Sequence, residues 1–364
     1  MKKMRKMSKT TRSSFITYGM VILAFVILQI LRGQGMLSSS LQSQLVPICA
    51  YVVMAVSLNL TVGVLGELSL GHAGFMSVGA FTGAVVATCV QNSISSGPLV
   101  LLVSMLGGAA LAGVAGVIIG IPVLRLRGDY LAIVTLAFGE IIKNVMNCLY
   151  LGWDSQGLHL STDANAMQLA EGGKMIINGP MGASMPAKYS TFAAGFILIM
   201  ITLIVVYNLV NSRAGRAIMA LRDNRIAAES VGISVTKYKM MAFVVSAVLA
   251  GAAGALYGLN FSTVAAKKFD FNTSILILVF VVLGGLGNIR GSIIAAALLT
   301  VLPELLREFS DYRMLVYAIV LILVMLATNN PTIRGFFSRV GDKCASAFHR
   351  QKPDSASKGG TGNE

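Results

Sequence analysis

The chain alternates long apolar segments with short polar ones along its 364 residues. A helix needs about 20 residues to cross the hydrocarbon of a membrane, and most of the apolar segments are close to that length. The pattern therefore predicts an all-α polytopic membrane protein of about ten transmembrane helices. The predicted spans are Phe15–Leu31, Leu45–Val62, Leu68–Val90, Leu99–Val123, Tyr130–Tyr150, Ser190–Val210, Met240–Asn260, Ser274–Gly287, Gly291–Leu306 and Arg313–Thr328.

Two parts of the chain interrupt this pattern. The spans Ser274–Gly287 and Gly291–Leu306 are shorter than a membrane requires, and the sequence GNIRG joins them. In the first half, residues 63–79 combine five glycines with Glu67 and His72. Short, glycine-interrupted segments in corresponding halves of a transporter mark helices broken around a pathway. The sequence therefore predicts broken or short helices around a central pathway.

Composition excludes an ordinary soluble protein. Hydrophobic residues make up 55% of the chain and charged residues only 12%, whereas soluble chains carry about 25% charged residues. The net charge of +14 is carried by short clusters between apolar segments. This placement fits the excess of Lys and Arg in cytoplasmic loops better than it fits nucleic-acid binding.

The basic clusters also predict an orientation in the cytoplasmic membrane. Residues 1–14 contain six Lys and Arg and no acid, which places the N-terminus in the cytoplasm, and ten spans return the C-terminus to the same side. The predicted regions are a basic cytoplasmic N-terminus (1–14), a transmembrane domain (15–328) with an extracytoplasmic loop (151–188) and a basic cytoplasmic loop (211–239), and a basic, disordered cytoplasmic tail (329–364).

The basic loop 211–239 is predicted to contain a short helix. Asp223 or Asn224 can cap its start, Ala227 and Ala228 favour helix, and Gly232 suits the left-handed residue that ends it. A capped helix on the cytoplasmic face is placed to contact a partner subunit. The alternative is an ordinary basic loop that only fixes the topology.

The spacing of these residues resembles a known motif. Ala227, Ala228 and Gly232 match the EAA-x-x-x-G coupling loop of ABC importer membrane subunits, except that Ile226 replaces the leading glutamate and an acid follows at Glu229. The whole run, GRAIMALRDNRIAAESVGI, resembles the LivH/LivM family of permease subunits of branched-chain amino acid importers, and is closer to the LivM branch. The resemblance implies that the coupling residues are Arg222, Asp223, Ala227, Ala228, Glu229 and Gly232.

Residues 63–79 resemble the same family through the string SLGHAGF. Ionisable groups inside a membrane are costly and tend to face a cavity or a partner, so Glu67 and His72 are candidates for the solute pathway. The alternatives are that Glu67 lies in the inner turn between two spans and that His72 is a hydrogen-bonded packing residue. The predicted pathway residues are Gly66, Glu67, Gly71, His72, Gly74, Glu140, Asn144, Gly284, Gly285 and Gly287.

Residues 135–147 carry a polar stripe. Glu140, Lys143, Asn144 and Asn147 share one helix face, and Glu140 and Lys143 can neutralise one another. The stripe either lines the pathway or holds helices together. The string TLAFGEIIK resembles the same family, but the glycine-rich TGG-x-x-G that should follow it is LGWDSQG here.

The chain has no motif for binding nucleotide or for catalysis. The glycines at 284–291 lack the lysine and serine or threonine of a phosphate-binding loop, and we expect neither a metal nor a cofactor on this chain. The resemblance implies a non-enzymatic transport subunit with four partners: a homologous LivH-type permease, two ABC ATPase subunits that bind ATP-Mg, and an extracytoplasmic solute-binding protein. A urea or short-amide importer and an ion-coupled secondary transporter remain alternatives.

Overall fold

The computed structural model describes residues 9–306, apart from 37, 92, 95, 127, 155–156, 164–166 and 168–172, and isolated residues after 306. The chain divides into two units, residues 1–305 and 306–364. The predicted tail 329–364 and residues 1–8 of the basic N-terminus lie outside the described residues, and so does most of the predicted tenth span, Arg313–Thr328. The following description therefore concerns the first unit.

Helices make up most of this unit. They are α1 (Lys9–Gly33), α2 (Ser39–Asn59, continued by a π-helical turn at Leu60–Val64), α3 (His72–Val90), α4 (Gly97–Val123), α5 (Asp129–Cys148), α6 (Phe192–Asn211), α7 (Arg213–Asp223), α8 (Arg225–Ser230), α9 (Val235–Gly258), α10 (Phe271–Gly284) and α11 (Ile289–Leu305).

Seven helices among the described residues are long and apolar enough to cross a membrane. They are α1 to α6 and α9, with α2 counted together with its π turn. Helix α10 is apolar but has only 14 residues, and α11 has 17. The prediction of a helical, polytopic membrane protein is therefore confirmed, but the count of ten spanning helices is not.

The long helices alternate in direction between two ends of the bundle. At one end, which we call the basic end, α2 finishes beside the α10–α11 turn and beside α7, through contacts of Gly63 with Gly287 and Arg222. At the opposite end, Ser40 near the start of α2 is hydrogen-bonded to Glu304 near the end of α11. Helix α11 therefore runs away from the basic end.

The centre of the bundle is a close-packed group of α3, α4 and α9. A Cβ atom added to Gly79 of α3 would lie 2.6 Å from the Cα atom of Gly251 in α9, and one added to Gly251 would lie 2.6 Å from the backbone oxygen of Gly108 in α4. Small residues let membrane helices approach until their backbones touch. The glycines of these helices thus allow direct backbone contact between them.

The end opposite the basic end carries a five-stranded antiparallel sheet, and we call it the sheet end. The strands are β1 (Tyr150–Asp154), β2 (Gly157–Ser161), β3 (Lys174–Asn178), β4 (Ala183–Ser184) and β5 (Thr263–Val264), in the order β2-β1-β3-β4-β5. The prediction of an all-α protein missed these strands. Each has five residues or fewer, and β5 comes from a different loop, so no single stretch of sequence shows the strand pattern.

Candidate functional site

Three segments meet at the basic end, and we call them together the junction. They are the end of α2 with the linker to α3 (residues 60–71), the segment from α7 to the start of α9 (residues 213–239), and the α10–α11 turn (residues 284–288). Two of the predicted pathway stretches, 63–79 and 284–287, therefore reach the predicted coupling loop.

The end of α2 departs from α-helical geometry before the linker begins. Residues Leu60–Val64 form a π-helical turn, and Gly66 then has φ +80°, a value that side chains disfavour. The backbone amide of Glu67 still donates to the carbonyl of Thr61, at 3.1 Å. Single π turns inside membrane helices often occur at functional sites. Helix α2 with its π turn and helix α3 are each long enough to span, so residues 65–71 are the linker between two spans, and the predicted broken helix at 63–79 is not seen.

Asn59 fastens the α10–α11 turn to α2. Its Oδ1 accepts from the backbone amide of Gly287 at 2.8 Å, and its Nδ2 donates to Ser292 Oγ at 2.9 Å. Asn59 is fully buried. Gly63 permits this approach, because a Cβ atom there would lie 2.8 Å from the Cα atom of Gly287.

Glycines also bring α10 and α11 together at this turn. A Cβ atom on Gly284 would lie 2.5 Å from the Cα atom of Ser292. Gly285 and Gly287 both have positive φ values, +90° and +78°. The predicted pathway glycines 284, 285 and 287 therefore form a tight turn held against the end of α2.

Arg222, the next-to-last residue of α7, reaches from the 213–239 segment into the end of α2. Its Nη1 donates to the carbonyl of Gly63 at 2.8 Å, and its Nη2 lies 3.2 Å from Asp223 Oδ1. Gly66 lies against the aliphatic part of the arginine, since a Cβ atom on it would be 2.5 Å from Arg222 Cγ. The arginine thus provides a hydrogen-bond partner for a backbone carbonyl within the π turn.

Lys239 provides a second connection to the same linker. It lies in the first turns of α9 and forms an ion pair with Glu67. The two side chains are only 6% and 15% exposed, respectively. Glu67 therefore lies in the turn between α2 and α3, as one of the two sequence interpretations held, and its carboxylate is occupied by a lysine.

The 213–239 segment has a capped helical structure. Ser212 caps α7 by accepting from the amide of Gly215 at 3.1 Å, and Asn224 caps α8 by accepting from the amide of Ala227 at 3.1 Å. Gly232 lies in the turn that follows α8, with φ +83°, and its amide donates to the carbonyl of Glu229 at 3.0 Å. Of the two candidate caps, Asn224 is the one that acts.

One face of α8 is packed and the other is open. Ala228 is buried in a small apolar cluster with Leu221 and Val235. By contrast, Ile226 in α8 and Val231, the residue that follows the helix, are 80% and 76% exposed. Glu229 pairs with Arg225 at 3.1 Å, on the exposed surface. These two exposed aliphatic side chains lie in a segment that also carries charged residues.

His72 begins α3 and is buried by its neighbours. Its Nε2 lies 2.8 Å from Ser57 Oγ in α2, and Ser246 Oγ of α9 donates to the carbonyl of Ser57 at 2.5 Å. Only 2% of His72 is exposed. In this conformation the imidazole therefore ties α2 to α3, which corresponds to the packing interpretation.

The linker and the start of α3 lie against the middle of α5. Thr135 Oγ1 accepts from the amide of Leu70 at 3.0 Å. A Cβ atom on Gly71 would lie 2.9 Å from the carbonyl carbon of Thr135, and one on Gly74 would lie 3.0 Å from the Cα atom of Gly139. Movement of the linker therefore acts directly on α5.

The structure does not bring the polar stripe of α5 to the junction. Glu140 and Lys143 form an ion pair, as their spacing predicted, and Asn144 is exposed. Glu140 lies 11 residues from the start of α5, about 16 Å along the helix. The stripe is thus nearer the sheet end, on the surface that a single copy of the chain leaves open.

Several residues of the junction were not among the predicted site residues. Asn59 and Lys239 make the key contacts, and Ser57 holds His72. A lone amide such as Asn59 in an apolar span is unusual, because polar groups in a membrane require partners, so its position in the sequence was a usable signal. Among the described residues no three His, Cys, Asp or Glu side chains are grouped to hold a metal ion.

Comparison with known proteins agrees with the resemblance found in the sequence. The family described as "Branched-chain amino acid transport system / permease component" matches residues 40–325. The high-affinity branched-chain amino acid transport system permease protein LivM of Salmonella typhimurium strain LT2 is 36% identical over 294 residues, and that of Escherichia coli strain K12 is 35% identical over 299 residues. Each alignment covers 76% of this chain and 66% of the relative, so the chain spans slightly less than two thirds of these proteins.

A more distant relative comes from an archaeon. The probable branched-chain amino acid transport permease protein LivM of Methanocaldococcus jannaschii is 24% identical over 300 residues, covering 72% of this chain and 80% of that protein. No solved structure gives a significant match. Because the family match covers well over half of the chain, the chain belongs to the family of permease components of branched-chain amino acid transport systems.

Proposed function

We propose that this chain is the membrane permease subunit of an ATP-driven, binding-protein-dependent importer of leucine, isoleucine and valine. The observation that carries the proposal is the α7–α8 segment, which presents an exposed helix at one end of the bundle. Arg222 of this segment and Lys239 after it contact the end of α2 and the linker to α3. The names of the two LivM relatives support the substrate class. The chain itself performs no catalysis.

The proposed partners follow from the family. A LivH-type permease completes the membrane pathway, two ABC ATPase subunits bind ATP-Mg, and a solute-binding protein delivers the amino acid from outside the cell. The basic end faces the cytoplasm in this proposal, and so do the two termini, because Lys and Arg are concentrated in cytoplasmic loops. The sheet end then faces the solute-binding protein.

The exposed face of α8 is the proposed contact with an ATPase subunit. Ile226 and Val231 project from a charged segment, where aliphatic side chains gain free energy only if another protein covers them. The proposed coupling residues all belong to this segment: Arg222, Asp223, Ala227, Ala228, Glu229 and Gly232. When the ATPase dimer closes, it displaces the segment, and the two halves of the membrane domain rock about the pathway.

The proposed pathway passes the open face of α5 and the start of α3. Glu140 and Asn144 present polar groups there, and polar groups in a membrane helix face protein or water rather than lipid. The position of α3 depends on Gly66, Gly71, His72 and Gly74. The position of the α10–α11 turn depends on Gly284, Gly285 and Gly287. These glycines allow backbones to approach and to change their spacing during transport.

Uptake measurements test this function. Labelled leucine and labelled urea are supplied at micromolar concentration to cells that lack the gene and to complemented cells. We expect a leucine defect that complementation restores. A defect in urea uptake alone would overturn the amino acid assignment, and leucine uptake that persists after ATP depletion with an intact proton gradient would overturn ATP coupling.

A further inference from the structure

We propose that Glu67 and Lys239, together with Arg222, form a clamp that transmits movement of the ATPase-facing segment to the end of α2 and to the linker between α2 and α3. Glu67 then acts as a positioning residue for coupling, and it does not contact the transported solute. This inference rests on the proposed function, because it assumes that α8 contacts an ATPase subunit.

The clamp holds one short piece of chain from two sides. Arg222 precedes α8 and Lys239 follows it, so the two cations bracket the exposed helix. Both reach the same piece of chain: Arg222 donates to the carbonyl of Gly63, and Lys239 pairs with the Glu67 carboxylate four residues later. A displacement of α8 is therefore transmitted to residues 63–67 by two contacts, one before α8 in the sequence and one after it.

Burial distinguishes this ion pair from the other pair on the segment. The side chains of Lys239 and Glu67 are 6% and 15% exposed, whereas those of Arg225 and Glu229 are 33% and 47% exposed. Exposed pairs are screened by water and fix little. In a buried pair, removal of one partner leaves a charge without compensation, so the pair keeps the linker and α9 together while they move.

The linker passes displacement on to the membrane helices. It ends at Gly71, which packs against Thr135 of α5, and the next residue, His72, is bonded to Ser57 of α2. A contiguous set of contacts thus runs from α8 through the clamp to α2, α3 and α5. Such a set is the physical form that coupling between two sites takes.

The test uses the complete transporter, assembled with its partner subunits and reconstituted in lipid vesicles. The variants are Glu67→Gln, Lys239→Met and the charge exchange Glu67→Lys/Lys239→Glu. Lys237→Met is the matched control, because Lys237 is exposed in the first turn of the same helix. Three quantities are measured for each: the amount of assembled complex, ATP hydrolysis with and without the solute-binding protein, and leucine uptake.

We expect the single variants to assemble and to hydrolyse ATP but to transport at least about fivefold less leucine per ATP, the lower end of ordinary coupling between sites. The charge exchange restores the ratio, and the control keeps it. Unchanged transport per ATP in both single variants would overturn the clamp. So would a loss of assembled complex with an unchanged ratio, since that pattern shows a structural role only.

Failure of the clamp and failure of the proposed function give different results. If the unaltered transporter imports no leucine, the substrate assignment fails, and the clamp is judged from ATP hydrolysis alone. Stimulation of hydrolysis by the solute-binding protein must then be lost in both single variants and return in the charge exchange. Stimulation that survives in the single variants would overturn the clamp independently of the substrate.

Discussion

The packed centre of the bundle and the junction are held together differently: close glycine contacts occur in both, but the junction also relies on polar side chains. In the centre, α3, α4 and α9 meet through small residues, and Gly79 and Gly251 bring two backbones into contact. In the junction, polar side chains such as Arg222 and Asn59 bind backbone groups of distant segments. Backbone contacts between small residues allow no added volume, whereas the polar contacts of the junction can be broken without overfilling any space.

This difference separates folding from transport. A substitution in the centre should affect whether the protein folds at all, and a substitution in the junction should affect how its parts move together. The following experiments test that separation, from the largest expected effect to the smallest.

The largest effect is expected from Gly251→Leu. Because a Cβ atom there would lie 2.6 Å from the backbone oxygen of Gly108, the helices must separate, and we expect a loss of about 4 kcal/mol or more in folding free energy. The measurement is the yield of monodisperse protein in detergent and its Tm. Gly19→Leu on α1 is the matched control, since nothing lies within 4 Å of a Cβ atom at that position. Equal yields would show that the centre is not packed as described.

Arg222→Ala should have a smaller effect on folding and a large effect on transport. Hydrogen bonds to charged groups contribute about 1.5–3 kcal/mol, and this one connects α7 to the carbonyl of Gly63. We expect a normal amount of inserted protein and about a tenfold loss of leucine uptake. Arg213→Ala, an exposed arginine of the same helix, is the control. Comparable uptake by the two variants would show that the hydrogen bond of Arg222 is not needed for transport.

Ala228→Asp and Gly232→Val test the shape of the exposed segment. Ala228 is buried beside Leu221 and Val235. An aspartate there would bury a charge in this apolar cluster, so α8 must move away from it. At Gly232, φ is +83°, and a valine costs about 1–2 kcal/mol there. Both variants should insert normally, continue to hydrolyse ATP in the complex and import little leucine. Normal import by both would rule out the coupling role of the segment.

His159→Ala at the sheet end should have the smallest effect. His159 Nε2 lies 3.0 Å from the buried Asp154 Oδ1, but the amide of Gly157 also donates to that oxygen. We expect a loss of at most about 1 kcal/mol, as for other partly exposed side-chain pairs, and unchanged leucine uptake. Thermal unfolding of the purified variant checks the first statement. A Tm below that of the Arg222→Ala variant would reverse the ranking of the two ends.

The helices were predictable from the sequence because their signal is local. The length and hydrophobicity of each long apolar segment predict a helix, and the run 211–239 contains its own helix caps and the glycine that follows its last helix. The sheet was not predictable in the same way, since β4 pairs with a two-residue strand about 80 residues away, Thr263–Val264. Propensity has little force over so few residues.

The contacts of the junction were beyond sequence reasoning for a related reason. Arg222 and Gly63 are 159 residues apart, and Gly287 and Asn59 are 228 apart. The sequence identified each stretch as unusual, but periodicity gives no information on which stretch meets which. Glu67 shows the consequence: its cost in an apolar environment was recognised from the sequence, whereas its partner, Lys239, was not.

The direction of α11 predicts on which side of the membrane a truncated chain ends, and a fused reporter enzyme can detect that side. Helix α11 runs from the junction to the sheet end. With the proposed orientation, a chain cut after Leu306 would therefore have its two ends on opposite faces of the bilayer. A phosphatase that is active only outside the cytoplasm should then be active when fused at residue 306 and inactive when fused at the N-terminus, and a green fluorescent protein should give the reverse pattern. A fusion at residue 364 would then count whether the apolar stretch at 313–328 crosses once more.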